Sequence, residues 1–248
     1  MRIGVVSDIH GNLAALEAVA DALASAGVDA VVNLGDCVSG PLLPAETARW
    51  LMHAGWPTIA GNHERQLLAL RANGTGRSGN DRFAAARLDT DAWDWIARLP
   101  PVLRLPAGPL LCHGTPESDL VPLAHAIRDG RMVDDAPARV VTRLSGIDAP
   151  VIACGHTHLP VATRLDDGRL VLNPGSVGLQ AFRETRGTPY VVETGTPDAR
   201  YALLTLRDTG WQARLHGVAY DVESMARLAE RHDAPDWAHA LRTGRAPD

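Results

Sequence analysis

Residues 1–36, MRIGVVSDIHGNLAALEAVADALASAGVDAVVNLGD, decide the fold class. Ile3–Val6 is a short apolar run that reads as a buried strand. Leu13 to Ala26 is rich in Ala and Leu at helical spacing and stops at Gly27, and Ala30–Leu34 is a second apolar strand. Strand, helix and strand in this order imply a parallel pair with its helix laid across one face. Working outward, Pro44–Ala54 is helical and Thr58–Ile59 is a short strand before Gly61. The polar, Gly-rich stretch Asn73–Asn80 reads as a mobile loop, and Asp91–Arg98 as a helix ended by Pro100-Pro101. Strands then dominate: Val102–Leu105, Leu110–Cys112, Val151–Ala153, Val161–Leu165 and Leu170–Leu172, followed by a hairpin of Tyr201–Leu206 and Trp211–Val218 around Asp208-Thr209-Gly210. The tail from Val222 to Arg242 reads as two short helices broken near Pro235. No repeat and no long linker interrupts the chain. Residues 1–248 are expected to form a single α/β domain, a four-layer αββα sandwich of two mixed sheets flanked by helices.

Composition excludes several classes. With 248 residues, 46% hydrophobic and a net charge of -5, the chain is neither fibrous nor disordered. All 24 basic residues are Arg. Schiff-base catalysis, the P-loop Lys and the protein-kinase Lys are therefore excluded; coding bias is the expected cause. The acidic balance argues against non-specific nucleic-acid binding but is compatible with a small phosphorylated substrate. Three cysteines without CxxC spacing (Cys37, Cys112, Cys154) point to a reducing compartment. No stretch approaches the roughly 18–20 apolar residues of a membrane span. The N-terminus carries no signal-peptide pattern, so no membrane partner and a soluble, cytoplasmic protein are expected.

Metal-type residues sit where the expected strands end. Asp8-Ile9-His10 follows the first strand, Gly35-Asp36 the second and Gly61-Asn62-His63-Glu64 the third, with His113-Gly114 and Gly155-His156-Thr157-His158 after later ones. Loops beyond the carboxyl ends of strands are where ligands gather in open α/β sheets. In extended backbone, residues two apart project to one side, so Asp8 with His10, and His156 with His158, could each face one point. The neighbouring glycines permit tight turns and close backbone approach.

This set resembles the calcineurin-like metallophosphoesterase superfamily. Asn173-Pro174-Gly175-Ser176-Val177-Gly178 and Tyr220-Asp221-Val222-Glu223 are similar to its small bacterial and archaeal phosphodiesterase branch. The segment Arg186–Asp198 has no counterpart there and reads as an insertion. The resemblance implies two divalent transition-metal ions, with Mn favoured and Fe, Zn, Co or Ni as alternatives. One would be held by Asp8, His10, Asp36 and His158, the other by Asp36, Asn62, His113 and His156, with Asp36 bridging. Two ions roughly 3.5–4 Å apart can share a hydroxide nucleophile and clamp phosphoryl oxygens during in-line attack. Mixed carboxylate, imidazole and amide donors suit such ions. His63 is the family's candidate for protonating or stabilising the leaving group, so His63 and Asp36 are the expected catalytic residues.

Glu64 is expected to support the site or start a helix rather than to bind metal. The three cysteines are expected to be buried packing residues, and His53, His125, His216, His232 and His239 to lie far from the motifs. The Asn173–Gly178 loop is either turn chemistry or a wall of the active site. The expected activity is hydrolysis of P–O bonds, with phosphodiesters favoured. A dinucleoside-polyphosphate hydrolase would use the same core. A protein phosphatase would carry Asp-Arg-Gly shortly after Gly-Asp, where this chain has Cys37-Val38-Ser39-Gly40-Pro41. A metal-dependent scaffold protein is the alternative from another class, but such relatives lose ligand positions and this chain keeps all of them.

Overall fold

Strand β1 (Arg2–Val6) is the hub of the first sheet, paired in parallel with β2 (Ala30–Asn33) and antiparallel with β12 (Ala199–Arg207), which in turn pairs with β13 (Gly210–Val218). The structure is a computed structural model that describes residues 1–75, 78–106 and 108–247. A second sheet has the order β3 (Val102–Arg104), β4 (Leu110–Cys112), β7 (Val151–Ala153), β9 (Leu170–Pro174), β8 (Pro160–Arg164). Its three inner strands run parallel and its two edges are antiparallel.

Alternation along the strands builds the layers. Ile3, Val5, Val32 and Leu34 of the first sheet meet Leu111, Val151, Ala153 and Leu172 of the second in one buried cluster between the sheets. The opposite face of β1 carries Val6 and Gly4. There α1 (Leu13–Ser25) packs Leu16, Val19 and Leu23, together with Leu51 of α2 (Pro44–Ala54) and Ile96 of α5 (Thr90–Arg98). Gly4 matters here because a Cβ at that position would collide with the Leu23 side chain. Beyond the second sheet, Val140 and Leu144 at α6 (Pro137–Arg143) cover Leu110, Cys112 and Ile152. The four layers α, β, β, α are those expected.

The structure adds a third mixed sheet among the described residues, of order β10 (Ala181–Glu184), β11 (Tyr190–Glu193), β6 (Arg131–Asp134), β5 (His125–Arg128). The two-sheet expectation is corrected to that extent. Residues 186–198, read as an insertion, supply β11. Strands β5 and β6 are joined by Asp129-Gly130, both left-handed (φ 50° and 71°), the two-residue turn that matches strand twist. Thr58–Ile59 is not a strand; only Thr58 bridges to Asn33. Asn73–Asn80 is shorter as a loop than expected: Asn73 closes α3 (Asn62–Asn73) and Gly79 opens α4 (Gly79–Ala85), while residues 76 and 77 of that stretch lie outside the described residues. Two C-terminal helices, α7 (Val222–Arg231) and α8 (Pro235–Thr243), pack on Leu42, and Ala240 of α8 meets Leu179 and Ala181 beside β10. No helix among the described residues is long and apolar enough to cross a membrane.

Candidate metal centre

The strand-end motifs converge, but not by the extended-chain rule. Asp8, His10, Asp36, His156 and His158 all have left-handed backbone, with φ of 55°, 52°, 54°, 69° and 60°. Non-glycine residues rarely adopt this region, and such strain persists where surrounding structure imposes it, typically at functional sites. Asp8 and His10 do face one point, joined by His158, whereas His156 turns instead toward Asp36 and His113. The expectation that His156 and His158 share one point is therefore corrected: the two rings are held by carbonyls from different segments, Leu120 O for His156 and Leu179 O for His158. Within each trio the ligand-type atoms lie within 4.8 Å of one another. Close packing holds the carboxylates in place. A Cβ at Gly61 would strike the Asp36 carboxylate, and one at Gly155 would strike Ser7 and Asp8.

Backbone carbonyls fix the imidazoles. His10, His113 and His158 donate from Nδ1 to the carbonyls of Ser39, Leu34 and Leu179, each at 2.7 Å. His156 donates from Nε2 to Leu120 O at 3.1 Å. Each ring therefore has its other nitrogen left for the centre, the arrangement by which backbone acceptors orient metal-binding histidines. His10 Nε2 and His158 Nε2 face each other at 3.1 Å. Burial and the neighbouring His158 push the His10 imidazole down to about 4, so no proton is readily held there. His113 Nε2 lies 3.0 Å from Asp36 Oδ2 and 3.1 Å from Asn62 Oδ1. Burial opposes charge on His113, but Asp36 and Asp8 outweigh it and push the ring up to about 10. The same field that draws a proton to this point would draw a cation. Burial and the neighbouring His113 push His156 down to about 4.

The carboxylates complete the donor set. Asp8 Oδ1 is buried without a hydrogen-bond partner and lies 3.4, 3.9 and 4.0 Å from Nε2 of His158, His113 and His10. Asp8 Oδ2 accepts from the His156 N–H at 3.1 Å, and Asp36 Oδ1 from the His63 N–H at 2.9 Å. Burial would raise the Asp36 carboxyl, but His113 and His63 outweigh it and hold it well below the usual carboxylate range. An orphaned carboxylate oxygen, facing imidazole nitrogens and mixed N/O donors fit divalent transition-metal ions.

Two carboxylates support the donors. Glu64, fully buried, accepts from the N–H groups of Asp36, Cys37 and Gly61, each at 2.8 Å. It thus ties the Gly35-Asp36-Cys37 turn to the start of α3, the supporting role expected of it. Glu64→Gln puts an amide NH2 where a carboxylate oxygen accepted, leaving at least one buried N–H, that of Cys37, unpaired. The variant should lose about 1–3 kcal/mol of stability in urea unfolding, and an unchanged midpoint would contradict this role. Asp81 is the residue that sequence reading missed. Fully buried, its Oδ1 accepts from His63 Nδ1 at 2.7 Å and from the Ser39 hydroxyl at 2.5 Å, while its Oδ2 has no partner. Burial opposes charge on His63, but Asp36 and then Asp81 outweigh it and push the ring up to about 9.

The Asn173–Gly178 loop lies beneath the centre and does not line the cleft. Ser176 Oγ donates to Asp8 O at 2.7 Å, the Val177 and Gly178 N–H groups to Ser7 O and Asp8 O, and Asn173 Nδ2 to Gly155 O at 2.7 Å. The cysteines are buried in the core, and burial raises their thiols. His125 departs from expectation: its Nδ1 lies 2.9 Å from the hydroxyl of Thr157, between His156 and His158. A cleft of 1230 Å³ opens over His10, Asp36, Asn62, His63, His156 and His158. Arg65, exposed on α3, also lines it and holds Asp119 through two hydrogen bonds of 2.6 and 2.9 Å.

Residues 1–196 match the calcineurin-like phosphoesterase superfamily domain. The uncharacterized protein MJ0912 of Methanocaldococcus jannaschii is 24% identical over 241 residues, 95% of this chain and 94% of that one. The crystal structure of a metallophosphoesterase from Sphaerobacter thermophilus superposes with a TM-score of 0.75 at 24% identity, over 98% of this chain and all of that one (100%). That of the hypothetical protein PH1004 from Pyrococcus horikoshii OT3 gives 0.73 at 13% identity, over 99% of each. The shared fold thus extends past residue 196 into α7 and α8.

Proposed function

This chain belongs to the calcineurin-like phosphoesterase superfamily, and we propose that it hydrolyses phosphodiesters at a centre of two divalent cations. The observation that carries the reading is the pair of facing imidazole nitrogens, His10 Nε2 and His158 Nε2, beside the orphaned Asp8 Oδ1. Asp8, His10, His158 and Asp36 would hold one cation; Asp36, Asn62, His113 and His156 would hold the other. Bound there, such ions supply charge stabilisation to phosphoryl oxygens and activate water as a nucleophile. The chain's own residues do the rest. Backbone carbonyls and the Asn173–Gly178 loop orient the donors. Asp81 fixes His63 through Nδ1, leaving Nε2 as the ring's second proton site, suited to hydrogen-bond or protonate a departing oxygen. Manganese is the metal proposed for the assays, and the cytoplasm the proposed location.

Diester preference rests on the cations. A monoester dianion carries an extra charged oxygen, which enzymes commonly meet with Arg or Lys. Here there is no Lys, Arg65 is engaged with Asp119, Arg183 donates to Pro247 O, Arg186 pairs with Glu184, and Arg82, which also lines the cleft, has a partner of its own. The Mn²⁺-loaded protein should therefore show a higher kcat/KM for bis(p-nitrophenyl) phosphate than for p-nitrophenyl phosphate. A monoester preference that disappears in Arg65→Ala or Arg183→Ala would overturn this.

A further inference from the structure

We propose that the cleft wall built by β10, β11 and α8 binds a nucleobase, so that the substrate of the centre is a nucleotide ester. The proposal rests on the phosphoesterase reading and extends it to substrate class. The cleft, at 1230 Å³, exceeds the roughly 300–1,000 Å³ of ordinary small-molecule pockets, far more than a phosphate group requires. Its wall is aromatic in a chain with few aromatic residues. One of the two Phe, one of the three Tyr and one of the six Trp meet there as Phe182, Tyr190 and Trp237.

These rings start at the candidate ligands and lead outward. Phe182 lies edge-on to His158 with centroids 4.8 Å apart, and Tyr190 edge-on to Phe182 at 6.1 Å. Trp237 lies edge-on to His10 at 6.1 Å. Phe182 and Trp237 are half-buried, pack against the same cluster of Leu179, Ala181 and Ala240, and line the cleft with it. The indole is held in place by the turn after Asp36: a Cβ at Gly40 would come within 2.9 Å of its ring. A group attached to a phosphate at the centre would therefore meet ring faces and edges set in advance. Stacking on aromatic side chains is how proteins hold bases of any sequence. Side-chain amides able to pair with the polar edge of a base, those of Gln66 and Asn80, also line the cleft. An acyl chain would leave those groups unpaired, and a bare sugar phosphate would leave the rings uncovered.

The test compares two ligands that differ only in the base. Calorimetric titration of the full Mn²⁺-loaded chain should show AMP binding about tenfold or more tightly than ribose 5-phosphate. Phe182→Leu and Trp237→Leu, which keep apolar volume on the wall, should each shrink that ratio severalfold. Equal affinities in the unmodified protein, or a ratio that survives both substitutions, would overturn the proposal. The same preparation is assayed on bis(p-nitrophenyl) phosphate. Turnover without base preference would remove the base site and keep the hydrolase; base preference without turnover of any diester would do the reverse.

Discussion

Asp36→Asn is expected to lower kcat/KM for bis(p-nitrophenyl) phosphate by about 10³-fold or more, the scale of losing a preorganised charge at a reacting centre. The substitution keeps volume and one oxygen but removes the charge that His113 Nε2 meets at 3.0 Å. Asp36 belongs to one trio of ligand-type atoms and is the ligand proposed to be shared with the other, so its loss should reach both halves of the centre. Elemental analysis should find fewer than two metals per chain. Cys154→Ser, a change at a buried packing residue, should retain two. An Asp36→Asn protein that still carries two metals would remove Asp36 as the shared ligand.

His63→Ala should keep its metals and slow turnover by about 10²–10⁴-fold for alkoxide leaving groups, and by less for nitrophenolate, which departs without help. Asp81→Asn should act in the same direction and more weakly. The amide preserves the shape beside Ser39 but no longer supports positive charge on His63, 2.7 Å away. The leaving-group series separates this positioning role from a structural one. A merely destabilised protein would lose activity equally on every substrate, and equal losses in His63→Ala would indicate phosphate binding in the ground state.

The layered fold was legible because its signals are local. Strand, helix and strand within residues 1–34 leave few ways to cover an apolar strand on both faces. The candidate donors were legible because they follow those strands directly. The third sheet was not, although Asp129-Gly130 between two short strands carried half of it. The other half pairs Val191 of β11 with Arg131 of β6, a contact across 60 residues that no local pattern encodes. Asp81 sits beside no motif and acquires its role only when α4 brings it to His63. The place of Arg65 at the cleft was not legible, because only Asp119, far along the chain, shows where its exposed side chain is held.

The most direct test titrates metal-stripped protein with Mn²⁺ while following bound metal by native mass spectrometry and hydrolysis of bis(p-nitrophenyl) phosphate in the same samples. The account predicts no turnover in the stripped protein and a rise in activity that levels off when two ions are bound per chain. Undiminished hydrolysis in the stripped protein, or full activity with a single ion bound, would contradict it.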